Sequence, residues 1–242
     1  MVKFIGCSGF HYEDWKKTFY PEDITKKEWL PYYADHFRTV EINTSFYSLP
    51  SEETLKNWHR QTPRHFKFAM KGSRYVTHQK KLVNDKNMRE GVKKFYRRVE
   101  KLKGKLGCVL WQLPGNLHRN DKKLADFCSV LSTNFKNIVE FRHTSWFDEE
   151  VYKILKKNDV GFCILSAPDP LPETLTVTTK TAYIRFHGKN EWYDYNYYKK
   201  ELKAWADKIK SIKAERVYCY FNNDAKAQAV KNAAFLKKEL AD

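Results

Sequence analysis

Eight hydrophilic side chains stand at spacings of two inside otherwise apolar runs. Glu41-Ile42-Asn43, Glu140-Phe141-Arg142, Arg185-Phe186-His187 and Tyr220-Phe221-Asn222 each read polar, apolar, polar. Alternate side chains of an extended strand share a face. Parallel strands covered on both sides should instead read as almost unbroken apolar runs. The apolar members must therefore face helices, and the polar members a common interior. Lys71 joins them through the looser alternation Lys67, Ala69, Lys71, opposite Phe66, Phe68 and Met70. Around the shared opening Lys71, Arg74, Arg142 and Arg185 outnumber Glu41 and Glu140 by two, before His78 and His187 are considered. Fixed positive charge in a cleft suits a phosphate or carboxylate, which arginine grips bidentately. A glutamate beside arginine stays ionised and acts as base rather than acid, and a histidine carries protons near neutrality. Glu41, Glu140 and His187 are thus the candidate catalytic residues. Asn43, Lys71, Arg74, His78, Gln112, Arg142, Arg185, Tyr220, Asn222 and Asn223 are the candidate substrate-binding set, with the amides orienting hydroxyls.

The elements that must position these residues follow from the rest of the pattern. Candidate strands are Lys3–Ser8, Thr39–Asn43, Phe66–Lys71, Gly107–Leu113, Asn137–Arg142, Gly161–Leu165, Ala182–His187 and Arg216–Asn222. Helical faces fall between them: Leu30, Tyr33 and Phe37; a helix opened by Pro50 with Ser51 as cap; Leu124, Phe127, Cys128 and Leu131; Val151, Ile154 and Leu155; Tyr198, Leu202, Trp205, Ile209 and Ile212; and Ala229, Ala233, Leu236 and Leu240. Eight strands with intervening helices predict a single-domain (β/α)8 TIM-type barrel over residues 1–242, whose active sites lie at the carboxyl ends of the strands. No G-x-G-x-x-G follows any strand, which argues against dinucleotide binding in an open sheet.

Composition narrows the remaining classes. The five cysteines are scattered and odd in number, so zinc ribbons and iron–sulfur centres are unsupported, and buried reduced thiols are expected. Met1–Phe10 has no signal-peptide character and no window is apolar enough to span a bilayer, so a cytoplasmic location without membrane contact is expected. Lys and Arg exceed Asp and Glu to give a formal charge of +16. The surplus is densest at Lys80–Lys105, where 11 basic residues face three acidic ones. There Met88, Val92, Phe95, Val99 and Leu102 repeat at helical spacing. The basic residues of helix 88–103 are then its solvated face, or a track for a nucleic-acid backbone. The strand ends supply Glu41, Glu140 and His187 but no aspartate and no H-x-H or H-x-x-x-H. That is enough for one weakly bound Mg²⁺ or Mn²⁺ at most, and no cofactor or metal cluster is expected. Ser8 lacks both a G-x-S-x-G setting and an aspartate to orient a histidine, so a serine hydrolase is unsupported.

The chain also resembles the domain of unknown function 72 family (YecE-like barrels). The resemblance rests on Ile5-Gly6-Cys7-Ser8-Gly9, Phe19-Tyr20-Pro21, Tyr33-Ala34, Val40 through Asn43 with Phe46-Tyr47, Trp58, Thr62-Pro63 and Phe66 through Lys71. It continues with Arg74 and His78, Gln112-Leu113-Pro114, Glu140 through His143 with Trp146, Arg185 through Gly188 with Trp192-Tyr193, Tyr220 through Asn223, and Asn232-Ala233. It implies a TIM-type barrel over nearly the whole chain and assigns no reaction. Phe10 in place of the family's frequent Trp, the order Thr44-Ser45, and Gly115 after Pro114 depart from the usual pattern, all in loops at the opening.

Three functions fit these residues. The first is an enzyme doing acid–base chemistry on a small phosphorylated or carboxylated substrate. The second is a phosphodiester hydrolase acting on nucleic acid held along the basic helix. The third is a catalytically inert barrel that binds a metabolite or protein. A purely structural account also exists, in which Glu140 with Arg142, and Glu41 with a neighbouring cation, are ion pairs plugging the barrel.

Overall fold

The computed structural model describes residues 1–241 and forms all eight expected strands: β1 (Val2–Cys7), β2 (Thr39–Ile42), β3 (Lys67–Lys71), β4 (Leu106–Gln112), β5 (Asn137–Glu140), β6 (Gly161–Ser166), β7 (Thr181–Phe186) and β8 (Arg216–Phe221). Asn43, Arg142, His187 and Asn222 lie just past the paired residues, where the backbone leaves the sheet for the loops. The helices are α1 (Trp29–His36), the short α2 (Thr44–Tyr47), α3 (Glu52–Gln61), α4 (Lys86–Val99), α5 (Asp121–Cys128), α6 (Glu149–Lys157), α7 (Lys199–Ser211) and α8 (Gln228–Glu239). Among the described residues only the β6–β7 connection carries no helix. All strand pairs are parallel, in the order β1-β8-β7-β6-β5-β4-β3-β2. Ser51 caps α3 as the sequence suggests, accepting from the Thr54 amide, and Asp85 and Asn120 cap α4 and α5 by accepting from the amides of Met88 and Lys123.

The basic helix departs from expectation. It ends at Val99, and the chain tightens into a 3-10 segment over Glu100–Lys105 with Lys103 at φ 48°. The continuous helix 88–103 is thus corrected to α4 plus a separate turn. The cause is Lys105, which is buried and donates to the carbonyls of His59 (2.5 Å) and Thr62 (2.6 Å) at the end of α3. This lysine ties two elements together and is no part of a solvated face. Tyr198 is likewise exposed at the N-cap of α7, outside the buried stripe of Leu202, Trp205 and Ile209.

Inside the barrel the inward side chains grade from apolar to charged along the strands. Phe4, Ala69, Cys108, Leu110, Ile138, Cys163, Leu165, Tyr183, Tyr218 and Tyr220 form the dry lower layers, with Phe4 and Tyr218 stacked at 4.6 Å. Ser8, Glu41, Lys71, Gln112, Glu140 and Arg185 follow them toward the carboxyl ends. The outward members Val40, Ile42, Phe68, Met70, Val139, Phe141, Ile184, Phe186 and Phe221 pack in the cluster between strands and helices. All five cysteines are free and buried.

The barrel closes between β1 and β2, where the paired ladder thins to a bridge between Ser8 and Glu41 and a Gly9 amide bond to the Glu41 carbonyl (2.8 Å). Below that bridge the Tyr33 hydroxyl, from α1, accepts from the Cys7 amide (2.7 Å) and donates to the Thr39 carbonyl (3.0 Å). One phenol therefore satisfies a donor and an acceptor that the two strands leave unpaired. Room for it depends on Gly6, where a Cβ would come within 2.2 Å of the Thr39 oxygen and 2.8 Å of the Tyr33 hydroxyl. Gly6→Ala must push backbone against backbone at this seam and is expected to cost about 2–3 kcal/mol by overpacking, measured by urea unfolding. A loss below about 0.5 kcal/mol would mean that the seam is not close-packed.

Candidate functional site

Three strand-end residues form a fully buried charged tier. Arg185, on β7, lies between two glutamates: Nη1 donates to Glu140 Oε2 (2.7 Å) and Nη2 to Glu41 Oε1 (2.6 Å), and all three side chains are wholly enclosed. The remaining acceptor capacity of Glu41 is taken by Ser8 Oγ and by the Tyr183 hydroxyl at 2.5 Å. Charges survive such burial only when paired and hydrogen-bonded, and these are both. Both pairings anticipated for a structural plug are therefore present, Glu140 with Arg142 and Glu41 with Arg185 as its neighbouring cation. Arg185 must also be corrected as a substrate-binding residue, because both ends of its fork are used internally and nothing reaches it from solvent. Its Nε has no partner among the described residues.

A second tier sits above. Arg142 Nε donates to Glu140 Oε1, and its Nη2 lies 3.1 Å from His187 Nε2. The Arg142 side chain retains 11% exposure, while His187 has none. Burial alone would raise the Glu140 carboxyl, but the guanidiniums of Arg142 and Arg185 outweigh it and hold the group well below the usual carboxylate range. Burial, with Arg142 and Arg185 nearby, holds His187 well below the usual imidazole range, so it is neutral at pH 7. A guanidinium can only donate, so the 3.1 Å contact puts the lone pair on Nε2 and the proton on Nδ1. The Asn222 atom facing Nδ1 at 3.2 Å is its amide nitrogen Nδ2; with the proton on Nδ1, the amide must be turned over so that its oxygen accepts from Nδ1.

An aromatic roof closes this tier. After β7 the chain turns at Gly188 (φ +114°), where a Cβ would lie 2.1 Å from the Glu191 carbonyl oxygen. The turn is fixed by bonds from the Tyr193 amide to the His187 carbonyl (2.7 Å) and from the Gly188 amide to the Tyr197 hydroxyl (3.0 Å). Trp192 is thereby laid over Arg142, 4.5 Å from ring centroid to guanidinium carbon, and within 5.3 Å of the His187 ring. The patch 192–198 divides its roles: Trp192 covers the site, while Tyr197 is buried against Phe186 and Phe221.

The other candidate residues separate into those at the opening and those away from it. Lys71 ends β3 with its Nζ 4.3 Å from the Phe46 ring centroid. His78 packs on the same ring at 4.8 Å with Nδ1 held by Thr77 Oγ1 (2.9 Å), and burial next to Lys71 and Arg74 lowers it to about 4. Arg74 is exposed, Asn43 is half-buried with an unpartnered Oδ1, and Gln112 donates to the Leu113 carbonyl. Because Glu41, Glu140, Arg142 and Arg185 balance one another, the positive excess resides on Lys71 and Arg74. Two residues are corrected outright. Tyr220 turns down the barrel to Thr39 Oγ1 (2.6 Å), a layer beneath the charges, because β8 enters the interior deeper than the opening at that position. Asn223 points outward and donates to the Tyr195 carbonyl (2.6 Å) and Asn232 Oδ1 (2.7 Å), bracing the β8–α8 connection. Conversely, Tyr183 and Ser8 were missed as supports of Glu41. Tyr183 was legible as the first member of the Tyr183, Arg185, His187 alternation, but a tyrosine deep in a strand reads as core. Among the described residues no three His, Cys, Asp or Glu side chains gather as a metal-ligand set, and no helix is long and apolar enough to cross a membrane.

Comparison with known proteins places this geometry in context. Residues 4–242 match the family profile described as "Protein of unknown function DUF72". A DUF72 family protein from Thermotoga maritima is similar over 100% of both chains at 33% identity and a TM-score of 0.91. The UPF0759 protein YunF of Bacillus subtilis is 25% identical over 95% of this chain and 91% of its own length. The UPF0759 protein YecE of Escherichia coli is 34% identical over 49% of this chain and 43% of its own. More distant barrels, SacUVDE (8% identity, TM-score 0.59, 98% of this chain and 97% of that one) and a D-psicose 3-epimerase from Clostridium cellulolyticum (10%, 0.51, 100% of both), share the fold.

Two outcomes follow from the tiers. His187 and Glu140 both have folded pKa values below their unfolded ones, so each stabilises the fold above its unfolded pKa and loses that contribution as pH falls. The melting temperature is expected to decline from about pH 6.5 downward as unfolded imidazoles take protons that His187 and His78 refuse, and more steeply below about pH 4.3 as Glu140 is added. His187→Gln should flatten the first segment; an unchanged slope there would contradict the assigned neutral imidazole. Separately, diethylpyrocarbonate should modify His187 slowly in the native protein. Trp192→Ala should speed that modification by roughly tenfold or more by removing the roof, read by peptide mass mapping. Equal rates would mean that Trp192 does not control access.

Proposed function

This chain belongs to the DUF72 family, and from its own residues we propose that it is an enzyme performing acid–base chemistry on a small phosphorylated or carboxylated substrate at the barrel opening. The observation carrying this reading is Arg142. It is a guanidinium at the boundary between a sealed charged tier and the surface, touching the imidazole that would move the proton. Lys71 and Arg74 add the unbalanced positive charge that draws an anion to it. An anionic group engaging Arg142 competes with His187 for the guanidinium donors. Release of His187 Nε2 exposes its lone pair beside the approaching substrate, and Glu140 stabilises the imidazolium that forms on proton uptake. Asn222 fixes the ring through Nδ1, and Asn43 and Gln112 are available to substrate hydroxyls. Glu41 and Arg185 act indirectly, by holding Glu140 in place.

The second reading, a nucleic-acid hydrolase, has a specific observation in its favour: Lys86, Arg89, Lys93, Lys94 and Arg97 are all exposed on α4. The two readings predict different behaviour in one set of assays. If the leading one holds, phosphate or small phosphorylated and carboxylated metabolites raise the melting temperature in a saturable way. Arg142→Met then weakens that binding by at least about tenfold, the loss of one charge-assisted contact, in a variant that still melts cooperatively without ligand. DNA or RNA binding that falls steeply with salt, is untouched by Arg142→Met and is lost on reversing Lys93, Lys94 and Arg97 to Glu would favour the second reading. No anion effect at millimolar concentration would overturn the first. An inert binding barrel would retain ligand while His187→Gln changed no reaction.

A further inference from the structure

Lys105 and Lys71 are both drawn in from solvent, and they differ in what holds them. Lys105 Nζ has three oxygen acceptors, the carbonyls of His59 and Thr62 and the hydroxyl of Thr62, which is the arrangement a buried ammonium requires. Lys71 Nζ has no hydrogen bond and no ion pair among the described residues; its contact is the face of Phe46. The carboxylates whose charge reaches it are already occupied, Glu41 by Ser8, Tyr183 and Arg185, and Glu140 by Arg142 and Arg185. Lys71 also stands at the carboxyl end of β3, two positions beyond the inward-facing Ala69, so it borders the opening where the proposed substrate sits.

We propose that Lys71 is a nucleophilic amine that forms a Schiff base with an aldehyde or ketone substrate, so that the substrate of this site carries a carbonyl group as well as an anionic one. The proposal rests on the preceding reading for the anionic group, which it seats on Arg142, and adds the reacting carbon. In the step, the neutral Nζ attacks the carbonyl carbon and the C=O π pair moves to oxygen. A proton passes from nitrogen to that oxygen to give a carbinolamine. The C–O bond then breaks with protonation of the departing hydroxyl, releasing water and leaving a protonated imine. The neutral His78, packed on the same phenyl ring, is placed to relay the proton. An imine so formed withdraws electrons from the adjacent carbon, which gives His187, its imidazolium stabilised by Glu140, a proton to remove. Independent support comes from electrostatics. Burial, then the charge of Arg185, lowers the Lys71 amine to about 8 against the partial opposition of Glu140 and Glu41.

The test uses the full chain with sodium cyanoborohydride at pH 7 and two probes, glycolaldehyde phosphate and glycolaldehyde, followed by peptide mass mapping. An amine titrating near 8 has a free-base fraction about 200-fold above that of an exposed lysine at pH 7, and allowing for its weaker intrinsic nucleophilicity we expect Lys71 to be reductively alkylated at least about 20-fold faster than the median lysine. Its rate should rise to half-maximum near pH 8. Lys71→Arg should abolish the fast site while the protein stays folded, and the wild-type map gives the same information if that variant does not fold. Fast labelling of Lys71 by the phosphorylated aldehyde and slow labelling by the neutral one supports both readings. Equal fast labelling by both keeps the Schiff-base amine and removes the anion-binding reading. Saturable binding of glycolaldehyde phosphate with Lys71 labelled no faster than surface lysines overturns the Schiff-base proposal and leaves Lys71 an ammonium for the anion.

Discussion

Arg185 is the constraint around which the upper half of the barrel is built. A guanidinium cannot shed its proton to escape burial, so a wholly enclosed one dictates two carboxylates, and those dictate further donors. Glu41 meets this demand from β2 with help from Ser8 on β1 and Tyr183 on β7; Glu140 meets it from β5 and is itself gripped by Arg142. The ends of four strands, β1, β2, β5 and β7, are tied together around this one cation. Removing it would leave two carboxylates in a dry interior, a loss of about 3–5 kcal/mol by comparison with other broken buried pairs. The array therefore serves structure and electrostatics at once. It locks the strand ends and sets the field that keeps Glu140 ionised and His187 neutral.

Much of this was legible before any coordinates. The period of two in Glu41-x-Asn43, Glu140-x-Arg142 and Arg185-x-His187 assigns faces to residues, and a parallel barrel has only one place for the polar face. The eight strands appear with ends shifted by one or two residues. What periodicity does not carry is depth. Tyr220 and Arg185 satisfy the same alternation as Asn222 and His187, yet lie two residues earlier on strands that rise about 3.3 Å per residue, roughly a layer lower and out of reach. Nor does a list of charges reveal who pairs with whom. Counted as free cations, Arg142 and Arg185 suggest a surplus at the centre; paired with their glutamates, they shift it to Lys71 and Arg74. Asn223 shows the complementary failure, since position past a strand end did not say that its side chain would turn outward to Tyr195 and Asn232.

The two half-hidden lysines carry a related lesson about burial. Exposure alone would class Lys105 as the more enclosed and hence the more unusual. Its three oxygen partners make it ordinary, whereas Lys71, less enclosed, is the one with an aromatic face and no hydrogen-bond acceptor at its ammonium among the described residues. Chemistry follows from unsatisfied groups placed at an opening more than from buried ones, and Asn43, with an unpartnered oxygen beside the strand ends, differs in this from the saturated Asn232.

The loop turned at Gly188 and weighted by Trp192 has a thermodynamic meaning. With the indole seated over the face of Arg142, the loop covers part of the approach to the guanidinium edge, and a visitor too large for the remaining gap must first displace it. Apparent affinity is then the intrinsic affinity multiplied by the fraction of molecules in which the indole has swung aside. Residues such as Tyr193 and Tyr197, which anchor that loop and touch no visitor, become determinants of how tightly a visitor is held. Selection among visitors can thus be tuned in this barrel without altering a single group inside it.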